Sequence, residues 1–506
     1  MPELLMPALV ALIIIYIVIK FMTKKSIPKG PPQKWPFIGN AFEIDSQNPQ
    51  ETFINWSKKY GDVFSVKVFG EDIVIVNGFD AVYEALVTKS TEFAGRPKQF
   101  RVKLMLDGEY TGSCWDNWSN PKMRLLKKAA MRSMKQFGEG LDRLETISLG
   151  VIEELIGVLD SKEEQPFYPE HIINKATTCI ILLYLFGEEY HMDHPHLAVL
   201  HKMLRYWEDS MGNASGLLLD IFPWLRFFGN KAYREISKAA EIRDSIFLPL
   251  IKKRKETIDK ANPDCVCDAL LLLQEEQRKV GKVITELDIK ITLQDSFMGG
   301  VDTTTSAVTG MLLILMNYPE VQTKLQREID GVIGTERPPS LADKSKMAYT
   351  EAFILEMLRY MSLAALGLPR ATETDTTLRG HPLPKGIMVV LNLWSVHHDP
   401  GQWDDSFTLK PERFLNEDGT PVSPDHPNKR NFFPFGAGHR ICIAQVLAKS
   451  RLFLFVTSLL QKFTFLPPEG TTPPSCDPRL FKRALILVPQ PFQVRAIRWQ
   501  QPDDKI

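Results

Sequence analysis

Between Phe432 and Ala448 the chain reads FFPFGAGHRICIAQVLA, and no other stretch limits its folding as much. Gly436 and Gly438 shape a turn, Cys442 follows it, and an apolar helical run from Ile443 to Leu454 begins at once. Glycine lets the backbone turn tightly where a Cβ would obstruct it. The start of a helix carries partial positive charge, which favours a thiolate placed there and makes it a good ligand for a soft metal ion. The plainer reading is that a lone cysteine beside apolar residues packs as a small core residue. The rest of the chain has to decide between them.

The chain has 506 residues, enough for one large enzyme unit, and its 44% hydrophobic content supports a sizeable core. Lys and Arg together number 61, as do Asp and Glu, so no net charge draws it toward nucleic acid. The six cysteines, Cys114, Cys179, Cys265, Cys267, Cys442 and Cys476, form no CxxC pair and no dense framework. Reduced thiols in a reducing compartment follow. Cys265 and Cys267 sit in a segment rich in Asn, Pro and Asp and read as surface-loop thiols.

Leu4 to Ile19 carries no charge, and extended to Met22 it makes about 28 Å of helix, close to a bilayer core. Lys20 can snorkel to the interface. A cleaved signal would want a basic start and a small-residue cleavage site, whereas here Glu3 precedes the run and Lys24, Lys25 and Lys29 follow it. A retained single-pass anchor is expected, with the bulk of the chain on the cytosolic side. Proline and glycine in Ile27–Pro32 and Trp35–Asn40 end the span in a stiff hinge. The expected divisions are an anchor over residues 1–25, a hinge over 26–40 and a catalytic domain over 41–506.

Val63–Val68 and Ile73–Val76 flank Gly70 as a hairpin, and Ala81–Val87 reads as a short helix. Helical patterns run from Lys122 to Asp160, Pro169 to Gly187 and Ala239 to Lys260. Ser215–Asn230 is apolar and aromatic enough to be either core or a lipid-facing lid. Thr285-Glu286-Leu287-Asp288 is a capping box ahead of a helix reaching Asn317, before Pro319. The fold class is mainly α with a small β region near the two ends.

Inside the capped helix stands Met298-Gly299-Gly300-Val301-Asp302-Thr303-Thr304-Thr305, poor helix material at up to about 1 kcal/mol per glycine. A Thr hydroxyl can bond a carbonyl one turn back and leave a polar notch. Glu356 and Arg359, three apart on one helix face, can pair. Lys122 to Lys135 carries Lys122, Arg124, Lys127, Lys128, Arg132 and Lys135, which alone reads as a solvated basic face.

Phe435-x-x-Gly438-x-x-x-Cys442 resembles the heme-binding signature of the cytochrome P450 family, with Ala444 where the family usually has glycine. Gly299 to Thr304 resembles its oxygen-side helix. Glu356 and Arg359, with Arg413 in Pro411-Glu412-Arg413-Phe414, resemble its Glu-x-x-Arg and Pro-x-Arg-Phe elements, and all four motifs come in the family's order. Gly386–Phe414 looks closest to animal microsomal members, the family-two-like and steroid 17-hydroxylase-like groups.

This resemblance implies a cytochrome P450 fold holding heme b, with Cys442 as the axial thiolate on iron. It places Phe435 and Gly438 in the heme loop, and Arg440, Arg370 and Arg96 at the propionates. One alignment adds Lys127, with Met123 where the family has Trp; another, on Trp118, offers Lys122 or Arg124. Thr303 becomes the alcohol beside oxygen and Asp302 a proton relay, while Glu356, Arg359 and Arg413 form a structural triad. Met298, Gly299, Val301, Ala365, Leu366, Ile486 and Leu487 become substrate contacts, suited to an apolar steroid, fatty acid or xenobiotic.

The implied activity is hydroxylation with O2 and electrons from NADPH through a reductase docked on the basic helix, with cytochrome b5 as a further partner. The implied location is the endoplasmic reticulum membrane. Two rivals remain at this stage. One is a heme-thiolate isomerase or dehydratase that needs no reductase; the other is a non-enzymatic heme-binding protein.

Overall fold

The computed structural model describes residues 27–139, 141–212, 214–483 and 485–500. The expected anchor, residues 1–25, lies outside them. Alternating apolar residues build a hairpin: β1 (Val63–Val68) and β2 (Glu71–Val76) pair antiparallel with Val63 opposite Val76. Phe69 and Gly70 turn the chain with positive φ.

β2 takes a parallel partner from far down the sequence. After β3 (Arg370–Ala371) and a small hairpin of β4 (Thr376–Leu378) and β5 (His381–Leu383), β6 (Met388–Leu391) inserts between β2 and β3, giving the order β1-β2-β6-β3. Two further two-stranded sheets pair β7 (Phe463–Leu466) with β10 (Arg495–Arg498) and β8 (Lys482–Arg483) with β9 (Leu487–Val488).

Helices fill the middle of the chain. The basic segment and its continuation form two helices, α1 (Pro121–Glu139) and Leu141–Asp160. α2 (Pro169–Phe186) closes on Gly187 in the left-handed conformation, which glycine adopts without Cβ strain. α3 (Pro195–Gly212) and α4 (Lys231–Thr257) pack together, and α4 starts earlier than its apolar pattern suggests because Asn230 caps it by accepting from the Tyr233 N–H.

α5 (Glu286–Asn317) begins at a capping box, with the Thr285 hydroxyl accepting from the Asp288 N–H at 3.1 Å and the Asp288 carboxylate from the Thr285 N–H at 2.7 Å. It is apolar enough to span a bilayer, but 78% of its apolar window is buried among its neighbours, which makes it the core axis. α6 (Ala348–Met361) and α7 (Gln445–Lys462) pack against it.

Cys265 and Cys267 are not surface-loop thiols. Cys265 caps a helix at Val266–Lys279, and both side chains are fully buried with Val266 and Leu270 in the main core. The polar residues of that segment mark the turn before the helix, while its first turn faces inward.

Candidate heme site

The Cys442 loop is fastened from two sides and closed by one bond of its own. The Phe433 N–H donates to His397 Nε2 at 2.9 Å, the His439 N–H to Ser90 Oγ at 2.7 Å, and the Cys442 N–H to the Phe435 carbonyl at 3.0 Å. Gly436 and Gly438 both take φ of 66°. A Cβ on Gly438 would lie 2.0 Å from the Leu86 carbonyl oxygen, so only glycine fits this close approach.

Cys442 comes three residues before α7. Its side chain is accessible yet lies deep inside the protein, in an internal recess. Burial holds its thiol above the ordinary range, opposed by the Ala444 backbone N–H and by Lys127 and Arg451. A metal would reverse that balance, since a coordinated thiol is deprotonated outright.

Beside the loop, Arg96, Lys127, Arg370 and Arg440 are all buried, and among the described residues none forms an ion pair with a carboxylate. Backbone carbonyls hold them instead. Arg96 donates to Cys114, Leu368 and Pro369; Arg440 to Ala94, Cys114 and Asp116; Arg370 to Phe93. Lys127 reaches the carbonyls of His439 at 2.6 Å and Ile441 at 3.3 Å, within the loop itself.

Burial pushes Lys127 down to about 8, Arg440 down to about 9 and Arg370 well below its usual value. Uncompensated buried cations are costly. Two propionates would supply the missing anions, so the residues present fit heme. Of the three basic residues that the sequence left open, Lys127 alone joins this cluster. Lys122 pairs with Asp288 at 2.8 Å, and Arg124 is exposed, donating to the Trp118 carbonyl. Trp118 stacks on His439 at 4.3 Å, while Met123 is fully buried against Arg440.

Glu356, Arg359 and Arg413 meet behind the loop. Arg359 donates to both Glu356 oxygens at 2.7 Å, and Arg413 reaches one of them at 3.2 Å. Arg359 also holds the carbonyls of His397 and Ser406, which ties the ion pair to the residue that fastens Phe433. His397 does not stand out in the sequence, because its neighbourhood, Ser395-Val396-His397-His398, carries no local pattern.

On α5 the Thr303 hydroxyl donates to the Gly299 carbonyl at 2.6 Å, and the Cβ position of Gly299 faces open space. The helix stays continuous through the notch. Burial raises the Asp302 carboxyl well above its usual value, with Glu208 and Glu170 adding repulsion and Arg205 opposing them. Arg205 itself pairs with Glu170 and, at 3.0 Å, with Glu208. None of these three α2 and α3 residues was singled out from the sequence, where their spacing looks like any solvated helix face.

The residues expected to touch substrate do not share one surface. Met298 is half-buried and Gly299 exposed, but Val301 has no exposed surface and packs into the main core, as Gly300 does against Ile181. Helical rotation turns Val301 away from Gly299 and Thr303. Leu487 is buried, with its N–H on the Leu363 carbonyl at 2.8 Å. Ala365 is buried and accepts from the Trp394 N–H, Leu366 packs on the small core around Phe53 and Phe64, and Ile486 is half-buried.

A helical fold built on a Cys-centred loop, with unpaired cations beside it and an alcohol-bearing helix in its core, defines a heme-thiolate oxidoreductase. A sequence model of the cytochrome P450 family matches residues 28–496, and the chain belongs to that family, whose members are monooxygenases carrying heme on a cysteine thiolate. It is 31% identical to Cytochrome P450 2U1 of Homo sapiens over 94% of this chain and 90% of that protein. It is 30% identical to Steroid 17-alpha-hydroxylase/17,20 lyase of Gallus gallus (91% and 90% covered) and 31% identical to that of Mesocricetus auratus (92% of each).

Proposed function

We propose that this monooxygenase hydroxylates an apolar organic substrate with O2, taking electrons from NADPH through a separate reductase. The observation that carries the reading is the group of four buried, carboxylate-free cations beside the Cys442 loop. Arg96, Lys127, Arg370 and Arg440 hold the propionates, Cys442 ligates the iron, and Phe435 and Gly438 shape the loop. The bound heme supplies O2 activation and C–H oxidation. Glu356, Arg359 and Arg413 brace the loop and take no part in the chemistry.

Thr303 and Asp302 manage protons. The Thr303 hydroxyl can leave the Gly299 carbonyl and present its proton on the open side of α5. Asp302, kept protonated by burial, can resupply it, with Glu170 and Glu208 at its back to pass protons on and Arg205 to hold those two carboxylates in place. The isomerase or dehydratase reading needs no such relay, and a non-enzymatic heme carrier needs neither relay nor electron donor. Residues 1–25 anchor the chain in the endoplasmic reticulum membrane, and exposed Arg124, Lys128 and Arg132 of α1 receive the reductase. Cytochrome b5 is a second acidic partner for the same face.

The reduced, carbon monoxide-bound protein is expected to show the red-shifted Soret band of thiolate ligation, and Cys442→Ser to lose it. Persistence of the band in the variant removes Cys442 as the ligand. Thr303→Ala is expected to keep that spectrum and divert NADPH electrons to peroxide. A heme-loaded protein that never accepts electrons from the reductase defeats the monooxygenase reading in favour of the electron-free one.

A further inference from the structure

α7 carries a buried charge that the site described above does not use. Arg451 stands seven residues beyond Ala444, close to two helical turns, so it returns to the face that Ala444 holds beside the Cys442 loop. Side chains on a helix lean back toward its N-terminus, and an arginine is long enough to cover about one turn in that direction. The guanidinium is therefore carried back along α7 toward the loop.

Arg451 is only 1% exposed. Among the described residues it donates no hydrogen bond and pairs with no carboxylate, and its Nε and Nη1 atoms are enclosed without a partner. In this it differs from Arg96, Lys127, Arg370 and Arg440, each of which donates to backbone carbonyls. Burial pushes Arg451 down to about 10, which still leaves it a cation at neutral pH. A buried charge with neither hydrogen bond nor counter-ion is costly, and an apolar side chain of similar length would fill the place without that cost. Breaches of this kind are where function is expected.

Two groups lie close enough for their charge to act on Arg451, Tyr184 of α2 and Cys442. Burial raises the Tyr184 hydroxyl well above its usual value, so it stays neutral and is no counter-ion. Cys442 is different, because a thiol that ligates a metal is deprotonated outright. Once it holds iron, the Cys442 thiolate is the anion available to Arg451. Their interaction runs through buried protein, where charges are felt more strongly than in water and are poorly screened by salt.

We infer that Arg451 acts on the reaction through Cys442: its fixed charge raises the reduction potential of the heme held there and so eases arrival of the first electron. Reduction adds one negative charge at the iron, and a buried cation behind the ligand favours the state that carries it. This rests on the heme-thiolate reading above and adds a residue that sets the electron affinity of the same site.

The test measures the midpoint potential of the heme-loaded full chain by anaerobic redox titration. Arg451→Met and Arg451→Gln are each expected to shift the ferric–ferrous balance at least about tenfold toward ferric, about 59 mV for one electron. Arg451→Lys, which keeps the charge, should recover most of that shift. The shift should also persist at high salt, as befits a buried charge. Unchanged potentials in both neutral variants overturn the inference, and so does a Lys variant that falls as far as Met. If both neutral variants are purified without heme, Arg451 is a structural requirement and the inference fails as well. The carbon monoxide spectrum of the same samples separates the two levels. Lack of the thiolate band in the unsubstituted protein defeats the heme-thiolate reading, whereas an intact band with unchanged potentials defeats the role of Arg451 alone.

Discussion

Gly438 and Gly436 share the same φ, but only Gly438 has a neighbour where a Cβ would go. Left-handed backbone costs a non-glycine residue about 1–2 kcal/mol, so Gly436→Ala should lose that much stability and retain heme. Gly438→Ala must also push the loop off the Leu86 carbonyl and is expected to be purified largely without heme, as read from Soret absorbance per protein. His397 offers a second test, through pH. It accepts from Phe433 at Nε2 and meets the Ser362 hydroxyl through Nδ1, and burial pushes it down to about 3. Its folded pKa lies below its unfolded value near 6.5, so between those values the unfolded chain binds the extra proton. Its contribution is complete above about pH 6.5 and is lost as pH falls toward 3, up to about 5 kcal/mol. Urea titrations from pH 7.5 to 5 should show a fall in stability that is smaller in His397→Gln. Such residues show how far a sequence reaches. Gly438 and Cys442 stand out because their spacing is local, whereas His397 and Lys127 act on the loop from distant segments. A motif alone does not say which side of its helix a residue such as Val301 faces.

Among the elements, α6 carries the largest electrostatic commitment. Glu356 and Arg359 are both fully buried, so truncating either strands a charge away from water. Removing one partner of a buried pair costs about 3–5 kcal/mol. Arg359→Leu is therefore expected to yield little folded protein. Arg413→Lys, which keeps a cation at the less buried end of the triad, should fold with a lowered melting temperature. α1 is less uniform than its composition suggests. Of its five basic residues with described side chains, Lys127 turns inward and Lys122 pairs with Asp288, which leaves Arg124, Lys128 and Arg132 as exposed charges whose side chains can face a partner. Reversing those three to Glu should raise the reductase KM about tenfold at low salt, with the gap closing as ionic strength rises. A KM that is unchanged and insensitive to salt moves the docking site elsewhere. The capping box of α5 and the β1–β2 hairpin could be read from a few adjacent residues. The β2–β6 pairing and the inward turn of Cys265 and Cys267 could not, because both depend on packing between segments far apart in the chain.

At the scale of the molecule, exposed aromatic residues gather where the start of the described chain meets the α3–α4 connection. Phe227 and Phe228 are 73% and 76% exposed, with Trp224 beside them at 54%. The hinge contributes exposed Trp35 and Phe37, exposed Phe42 follows it, and Phe37 stacks on Phe222 at 6.3 Å, which joins the two segments. Core packing, one of the two readings open for Ser215–Asn230, does not describe these side chains, although Leu219 of the same segment is buried. Water-exposed aromatics on this scale suit a lipid surface. The same segment packs on α3 and α4. A chain shortened to begin at Ile27, which packs against the sheet-side core, should therefore still sediment with phospholipid vesicles. Each aromatic ring contributes about 2 kcal/mol if fully buried. Trp224→Ser, Phe227→Ser and Phe228→Ser together should then reduce partitioning at least about a hundredfold while leaving the carbon monoxide spectrum intact. Because the attraction is apolar, binding should persist in high salt. Release by salt would show that the shortened chain adheres through its basic residues, and would locate the membrane contact away from this patch.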